Sequence, residues 1–278
     1  MDKDTSKDTS WGGVAGWYDE LLEESPDSFQ AKVILPNLLR ILKSGQGSTL
    51  SGVRVIDIAC GQGYFSRAFG KAGAKVVGAD ISPELISKAK ERSPETISFN
   101  IAPADKLNFA QNNSFDVAVI ILSLQNIENI NGVLSECSRV LKEKGRLIIV
   151  LNHPAFRIPH KSSWDWDDLP RSPRFGEAGG KAGKKGRQYR RIEAYLKEYK
   201  VEIDMTPGEK DKANKKKTIS FHRPLQSYFK SLASVGLVVT NLEEWVSHKK
   251  SQKGPRSAEE DRTRKEIPMF LMLEAGKL

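Results

Sequence analysis

The residues able to do chemistry in this chain gather around one small-residue turn. Asp57 stands two residues ahead of Ala59-Cys60-Gly61-Gln62-Gly63, and Asp80 and Asp105 stand where later apolar runs stop. Small residues at 59, 61 and 63 let a ligand lie against the backbone, and a helix starting after them presents unpaired N–H groups. That is the shape of a nucleotide site. Asp80 sits about where a carboxylate reaches ribose hydroxyls in a nucleotide-binding α/β fold. The other role for such an acid, capping the next helix, is already filled by Ser82-Pro83-Glu84. Asp105 is either a turn residue or a further ligand contact. Two histidines are candidate general bases: His153, directly after an apolar run, and His222 in SFHRP. Each has a plainer alternative, His153 as a turn residue before proline and His222 as a helix cap or a prop for the preceding segment.

The elements that must position these residues follow from periodicity. Val53, Val55, Ile56 and Ile58 form an apolar run that breaks at the turn, and Tyr64, Phe65, Ala68 and Phe69 resume at helical spacing. A second strand spans Lys75 to Asp80, PELISKAKERS gives a helix, and a third strand lies near Ile97 to Ile101. SFDVAVIILS has the β-branched continuity of a central parallel strand buried on both faces. NINGVLSECSRVLKEKG then reads as an amphipathic helix closed by Gly145, and GRLIIVLNH as the fifth strand. The alternation predicts a doubly wound parallel sheet with its ligand crevice at the C-terminal strand ends. Ahead of it, FQAKVILPNLLRILK predicts an amphipathic helix kinked at Pro36.

Composition sets the outer limits. The chain has 278 residues, 38% of them hydrophobic, enough to bury a full core. There is no run of about eighteen apolar residues, and MDKDTSKDTS is polar without an apolar signal core, so neither a span nor export is indicated and the cytoplasm is the default. Cys60 and Cys137 are too few for a disulfide framework or a metal cluster and are expected as free thiols. The net charge is +9, and residues 181–217 hold 13 Lys/Arg against 6 Asp/Glu, so most of the excess sits in one segment.

Several ordered motifs resemble the class I S-adenosylmethionine-dependent methyltransferases, of the ubiquinone/menaquinone methylase type. They are DIACGQG, GADIS, APADKLNF, SFDVAVIILSLQNIEN and VLKEKGRLIIVLNHP. The resemblance covers roughly residues 11 to 152 and resumes over 221 to 275, where HRPLQSYFKSLASVGLVVTNLEEW is similar to the last helix and sixth strand and IPMFLMLEA to the antiparallel seventh. A nicotinamide-dependent Rossmann enzyme is the nearest rival, but its fingerprint needs glycine at the first, third and sixth turn positions. Counted from Ala59, only Gly61 matches; the sixth position is Tyr64.

The resemblance implies a Rossmann-like seven-stranded sheet with an antiparallel last strand, an N-terminal helical lid and an inserted cap. The domain reading is a disordered tail over 1–10, the lid over 11–50, the cofactor-binding core over 51–152, a substrate cap over 153–219 and completion of the sheet over 220–278. It implies S-adenosyl-L-methionine as cofactor. Asp57, Ala59, Gly61 and Gly63 would line its methionine part, Asp80 would take the ribose hydroxyls, and Ile81 would pack on adenine. Ala104 and Asp105 would meet the adenine edge, Leu122 or Ser123 would lie beneath the sulfonium, and Tyr18 would cover the carboxylate end, unless Trp17 and Tyr18 merely pack the lid. The chain departs from the common pattern at Ala59 and at Gln125-Asn126, where a histidine pair is frequent. Methyl transfer to a small-molecule O, N or C nucleophile is the favoured reading. RNA or DNA methylation is the alternative, drawing on the basic segment and on Tyr189, Tyr195 and Tyr199 interleaved with it, though no Asn/Asp-Pro-Pro-aromatic tetrad ends the fourth strand. A binder without enzymatic activity is the third class. The oligomeric state is left open.

Overall fold

The computed structural model describes residues 25–44, 47, 49–167, 186–205 and 217–277. Tyr18, with Trp11 and Trp17, lies outside the described residues, as do the expected tail at 1–10 and much of the basic segment.

Strand β1 (Arg54–Ile58) leads through the small-residue turn into α-helix Tyr64–Lys71. β2 (Lys75–Asp80), helix Pro83–Arg92, β3 (Ser98–Ile101) and β4 (Phe115–Ile121) follow. Helix Ile130–Val140 runs straight into β5 (Leu141–Asn152). Late in the chain, helix Leu225–Ser234 precedes two further strands, Leu237–Trp245 and Phe270–Lys277. Together they form one seven-stranded sheet in which Phe270–Lys277 runs antiparallel to both β5 and Leu237–Trp245. From one edge the order is Leu237–Trp245, Phe270–Lys277, β5, β4, β1, β2, β3. β1 and β4 are neighbours although β2 and β3 intervene in sequence, so chain direction switches there and a crevice opens at their C-terminal ends. Register brings Ile58 level with Ala79 and Ile120, which delivers the turn, Asp80 and Leu122 to the same edge.

Both faces of the sheet are covered. One carries Val133, Leu134 and Cys137 of helix Ile130–Val140 and Tyr228 and Leu232 of helix Leu225–Ser234 against Ile56, Ile120 and Ile149. The other carries Phe65, Phe69, Ile86 and Ala89 against Val55, Val119 and Ile148. The same second cluster contains Val33, Ile34, Leu38, Ile41 and Leu42. The amphipathic helix expected as part of a lid is therefore, over its described length, a core element. It begins as a π-helical turn, Gln30–Ile34, and becomes α-helical over Leu35–Lys43. Pro36 has no N–H and its ring crowds the carbonyl four residues back. The wider turn answers this, with the Leu35 N–H reaching back to Gln30 O.

Gly145 does not close the preceding helix. That helix stops at Val140, and Gly145 lies in an irregular stretch of β5, where pairing with β4 jumps from Phe115/Leu141 to Val117/Arg146 and Lys144 takes a φ of 60°. A Cβ at 145 would stand 2.8 Å from the Lys142 carbonyl, so the glycine serves this bend.

Between β5 and helix Leu225–Ser234 lie two antiparallel hairpins. Ser162–Asp167 (β6) pairs with Arg187–Ile192 (β7), and Tyr199–Asp204 (β8) pairs with Lys217–His222 (β9). The basic passage RQYRRI is thus extended, and β9 runs past residue 219, the expected end of the insertion. The short helix Ser257–Glu266, absent from the sequence expectation because its apolar face is slight, braces the first hairpin: Thr263 Oγ1 bonds Gln188, and Arg256 stacks on Trp166 at 4.5 Å.

Tight packing under the turn gives a test. A Cβ added at Gly78 would meet the Phe99 ring at 2.5 Å and Cys60 Sγ at 2.9 Å. Gly78→Ala is expected to lower the unfolding free energy by about 1–3 kcal/mol, read from urea denaturation.

Candidate functional site

The turn after β1 is held by acids on both sides. Asp57 is buried, and its Oδ2 accepts the Ser66 hydroxyl at 2.6 Å, fastening the strand end to the following helix. Burial pushes the Asp57 carboxyl up to about 7; the Ser66 hydrogen bond opposes the rise and the Asp80 charge adds to it. Asp80 accepts from Gly61 N through Oδ2 at 2.9 Å and from Ser82 N through Oδ1 at 2.9 Å. Its carboxyl is also raised by burial, with the amides of Ser82, Gly61 and Ile81 pulling the other way. Each Asp80 oxygen retains accepting capacity for a ligand hydroxyl. Ser82 Oγ accepts from Leu85 N and caps helix Pro83–Arg92, so Asp80 is not needed as that cap.

Backbone conformation explains the small residues. Ala59, Gly61 and Gly63 have φ of 57°, 57° and 80°, a region that costs an L side chain roughly 1–2 kcal/mol. Ala59 carries that strain; the glycines do not. A Cβ at 63 would also press on the Phe99 ring at 2.9 Å. Beside the turn, Ile81 stays 36% exposed and Ala104 half-buried. Asp105 Oδ2 accepts from Asn129 Nδ2 at 2.8 Å and is thereby tied to the residue that caps helix Ile130–Val140.

Leu122, just past β4, has a φ of 55°, unusual for a branched side chain and of the kind that clusters at ligand sites. It is pinned by its N–H to Val150 O at 2.8 Å and by Gln125 Nε2 to its carbonyl at 2.7 Å. Leu122 lines a cavity of about 520 Å³ at the ends of β4 and β5, whose walls include Phe29, Arg157, Ile203, Met205, His222 and Arg223. Asn126 closes one side by donating to Ile219 O at 2.9 Å, joining the turn after β4 to the second hairpin. Three residues on this lining have buried atoms without a hydrogen-bond partner: Gln125 Oε1, Arg157 Nε and Arg223 Nη1. A second cavity, about 410 Å³, lies at the opposite end of the sheet around Gly52, Asp116 and Lys142 and contains none of the expected site residues.

The structure separates the two histidines. His153 is buried, its Nε2 lies 2.7 Å from Glu244 Oε1, and its Nδ1 accepts from Ala155 N at 3.2 Å and Phe156 N at 3.4 Å. Burial holds its pKa below the ordinary value against the pull of Glu244. With both nitrogens engaged and its ring outside the cavity lining, His153 braces the exit of β5 and is corrected as a candidate base. His222 does line the cavity. Its Nε2 donates to Tyr195 O at 2.8 Å, which leaves Nδ1 as the acceptor, without a partner among the described residues. Arg157 and Arg223 were missed by sequence reasoning; the one signal available was that each sits beside a histidine-proline passage in an otherwise apolar context.

A doubly wound sheet with a small-residue turn after its first strand and an acid ending its second is a nucleotide-binding α/β fold. Residues 56–149 match a family model described as a methyltransferase domain. Demethylmenaquinone methyltransferase of Tropheryma whipplei is 36% identical over 107 residues, covering 37% of this chain and 44% of that protein. A ubiquinone biosynthesis O-methyltransferase of Xanthomonas oryzae pv. oryzae is 29% identical over 103 residues, covering 36% and 43%. The chain thus spans less than half the length of these curated relatives. A crystal structure of an S-adenosylmethionine-dependent methyltransferase from Mesorhizobium loti shares the fold at TM-score 0.61 and 23% identity, covering 85% of this chain and 96% of that one. The fold is that of the class I S-adenosylmethionine-dependent methyltransferases. Among the described residues no helix is long and apolar enough to cross a membrane.

Two outcomes follow from this geometry. A carboxyl whose folded pKa lies above its unfolded value of 3.8 stabilises the fold below that value and loses the contribution as pH rises through about 7. Asp57→Asn is therefore expected to gain stability over the parent between pH 4 and 8, the gain growing with pH; thermal unfolding midpoints across that range check it, and a pH-independent difference would contradict it. His153→Ala is expected to cost about 1–3 kcal/mol of stability in chemical denaturation, because it removes a buried ring and the acceptor of the Ala155 and Phe156 amides.

Proposed function

We propose that the protein is an S-adenosylmethionine-dependent methyltransferase acting on a small molecule by in-line displacement. The observation that carries the reading is the placement at one sheet edge of the turn held by Asp57 and Asp80 and of a separate, largely apolar cavity that begins at Leu122. The residues fit the cofactor. Asp57 is a buried acid raised to about 7, and an ammonium beside it would relieve the cost of its charge. Asp80 has lone pairs for ribose hydroxyls, Ile81 offers an exposed apolar face to adenine, and Ala104 and Asp105, which follow Ala102 bonded to the Asp80 carbonyl, would meet the adenine edge. When bound, the cofactor supplies a methyl already activated on a sulfonium.

What remains for the chain is positioning. Holding reactants in near-attack geometry can contribute about 7–11 kcal/mol, so an acid–base group is needed only if the acceptor is a hydroxyl or an acidic carbon. His222, oriented by the Tyr195 carbonyl, has the Nδ1 lone pair to accept that proton. Leu122 or Ser123 would lie beneath the sulfonium where the cavity begins, and residues 153–219 act as a substrate cap, with Phe29 and Gln30 closing the N-terminal side. The quinone-related names of the two relatives support a small-molecule acceptor. The nucleic-acid reading rests on the basic stretch 181–217 and would be favoured by salt-dependent retention of tRNA.

Isothermal titration with S-adenosylhomocysteine is the direct test. The parent chain is expected to bind, and Asp80→Ala to bind at least tenfold more weakly; no heat with the parent would sink the enzyme reading.

A further inference from the structure

The cavity beyond Leu122 holds two guanidinium groups with no carboxylate partner among the described residues. Arg223 is 7% exposed; its Nη2 donates to the carbonyls of Ile127 at 3.0 Å and Glu128 at 2.8 Å, while Nη1 has no hydrogen-bond partner and the group lies over the Phe221 ring at 5.1 Å. The Tyr228 hydroxyl is beside it, a neutral neighbour that burial pushes up to about 12 against the pull of that guanidinium. Arg157 packs over Trp164 at 5.7 Å, and its Nε is buried without a partner. Arg190 shares the same indole at 5.2 Å, which sets a further guanidinium beside Arg157. Burial, with Arg190 adding repulsion, lowers the Arg157 pKa to about 10. The carboxylate on the lining, Asp204, is set opposite Lys217 across the second hairpin and interacts with it.

Buried cations without counter-ions are costly and are stabilised by a ligand that brings the missing charge. Guanidinium groups match a planar carboxylate with parallel N–H donors. The apolar part of the lining is Phe29, Leu122, Ile203, Met205, Met269 and Phe270, with polar Gln30, Asn126, Thr218 and Ser220 between them. We infer that the cavity takes an apolar acceptor bearing a carboxylate, which Arg157 and Arg223 hold while its nucleophile faces Leu122. This rests on the methyltransferase reading for the word acceptor, and the anion site itself is testable apart from it.

Benzoate and its neutral isostere benzamide are titrated into the full chain, followed by NMR, with and without S-adenosylhomocysteine. Benzoate is expected to bind at least tenfold more tightly than benzamide. Arg157→Gln is expected to erase the difference while leaving the thermal midpoint and the S-adenosylhomocysteine affinity near those of the parent. Equal binding of the two probes by the parent overturns the inference even if Arg157→Gln fails to fold, as does discrimination that survives the substitution. Benzoate preference without any binding of S-adenosylhomocysteine keeps the anion site and removes the methyl-transfer reading instead.

Discussion

The Asp80 carboxylate is the constraint on which the crevice depends. One of its oxygens holds Gly61 N and the other Ser82 N, so a single buried acid fixes the turn after β1 to the start of helix Pro83–Arg92. Asp57 does the same toward the opposite side through Ser66. Neither acid is in a comfortable place for a charge, and burial raises both carboxyls. A cationic or hydroxyl-rich ligand converts that cost into affinity. Strain in Ala59 points the same way, since a left-handed alanine persists only where its surroundings over-determine the backbone.

A cavity begins at Leu122 on the same edge of the sheet, and most of its walls come from outside the parallel core. Its walls come from the segment before β1, the exit of β5 and the second hairpin, with Asn126 clasping the hairpin to the turn after β4. The division matters for the proposed function, in which the turn would hold the cofactor and the cavity would select the acceptor. The orphaned polar atoms of Gln125, Arg157 and Arg223 all face the selecting side. Electrostatics there is set by guanidinium groups against aromatic rings, not by the exposed lysines that dominate the net charge.

Most of the sheet was legible in the sequence. β2 falls at Lys75–Asp80 as periodicity predicts, and β1, β3 and β4 begin or end within a residue or two of the expected positions. The misreadings have particular causes. Gly145 looked like a helix terminator, but the helix ended at Val140 and the glycine was needed for a bend inside β5, which depends on pairing with β4. The helix at Leu35–Lys43 looked like a lid because it precedes the core in sequence, yet its apolar stripe is buried against the sheet. Helix Ser257–Glu266 escaped notice because it is charged nearly all round and is held by side-chain bonds to a hairpin distant in sequence.

By itself the sequence determined the strand–turn–helix units, the small-residue turn and the acids at the strand ends, because those features are local: they follow from side-chain period, allowed φ and the spacing of neighbours. Only the tertiary structure decided between the histidines. The partners that occupy His153 and orient His222 are Glu244 and the Tyr195 carbonyl, brought to them by strand pairing across long separations. It alone also placed Arg157 and Arg223 on one cavity, since which side chains line a common space is decided by the folded chain and leaves no trace in spacing along the sequence.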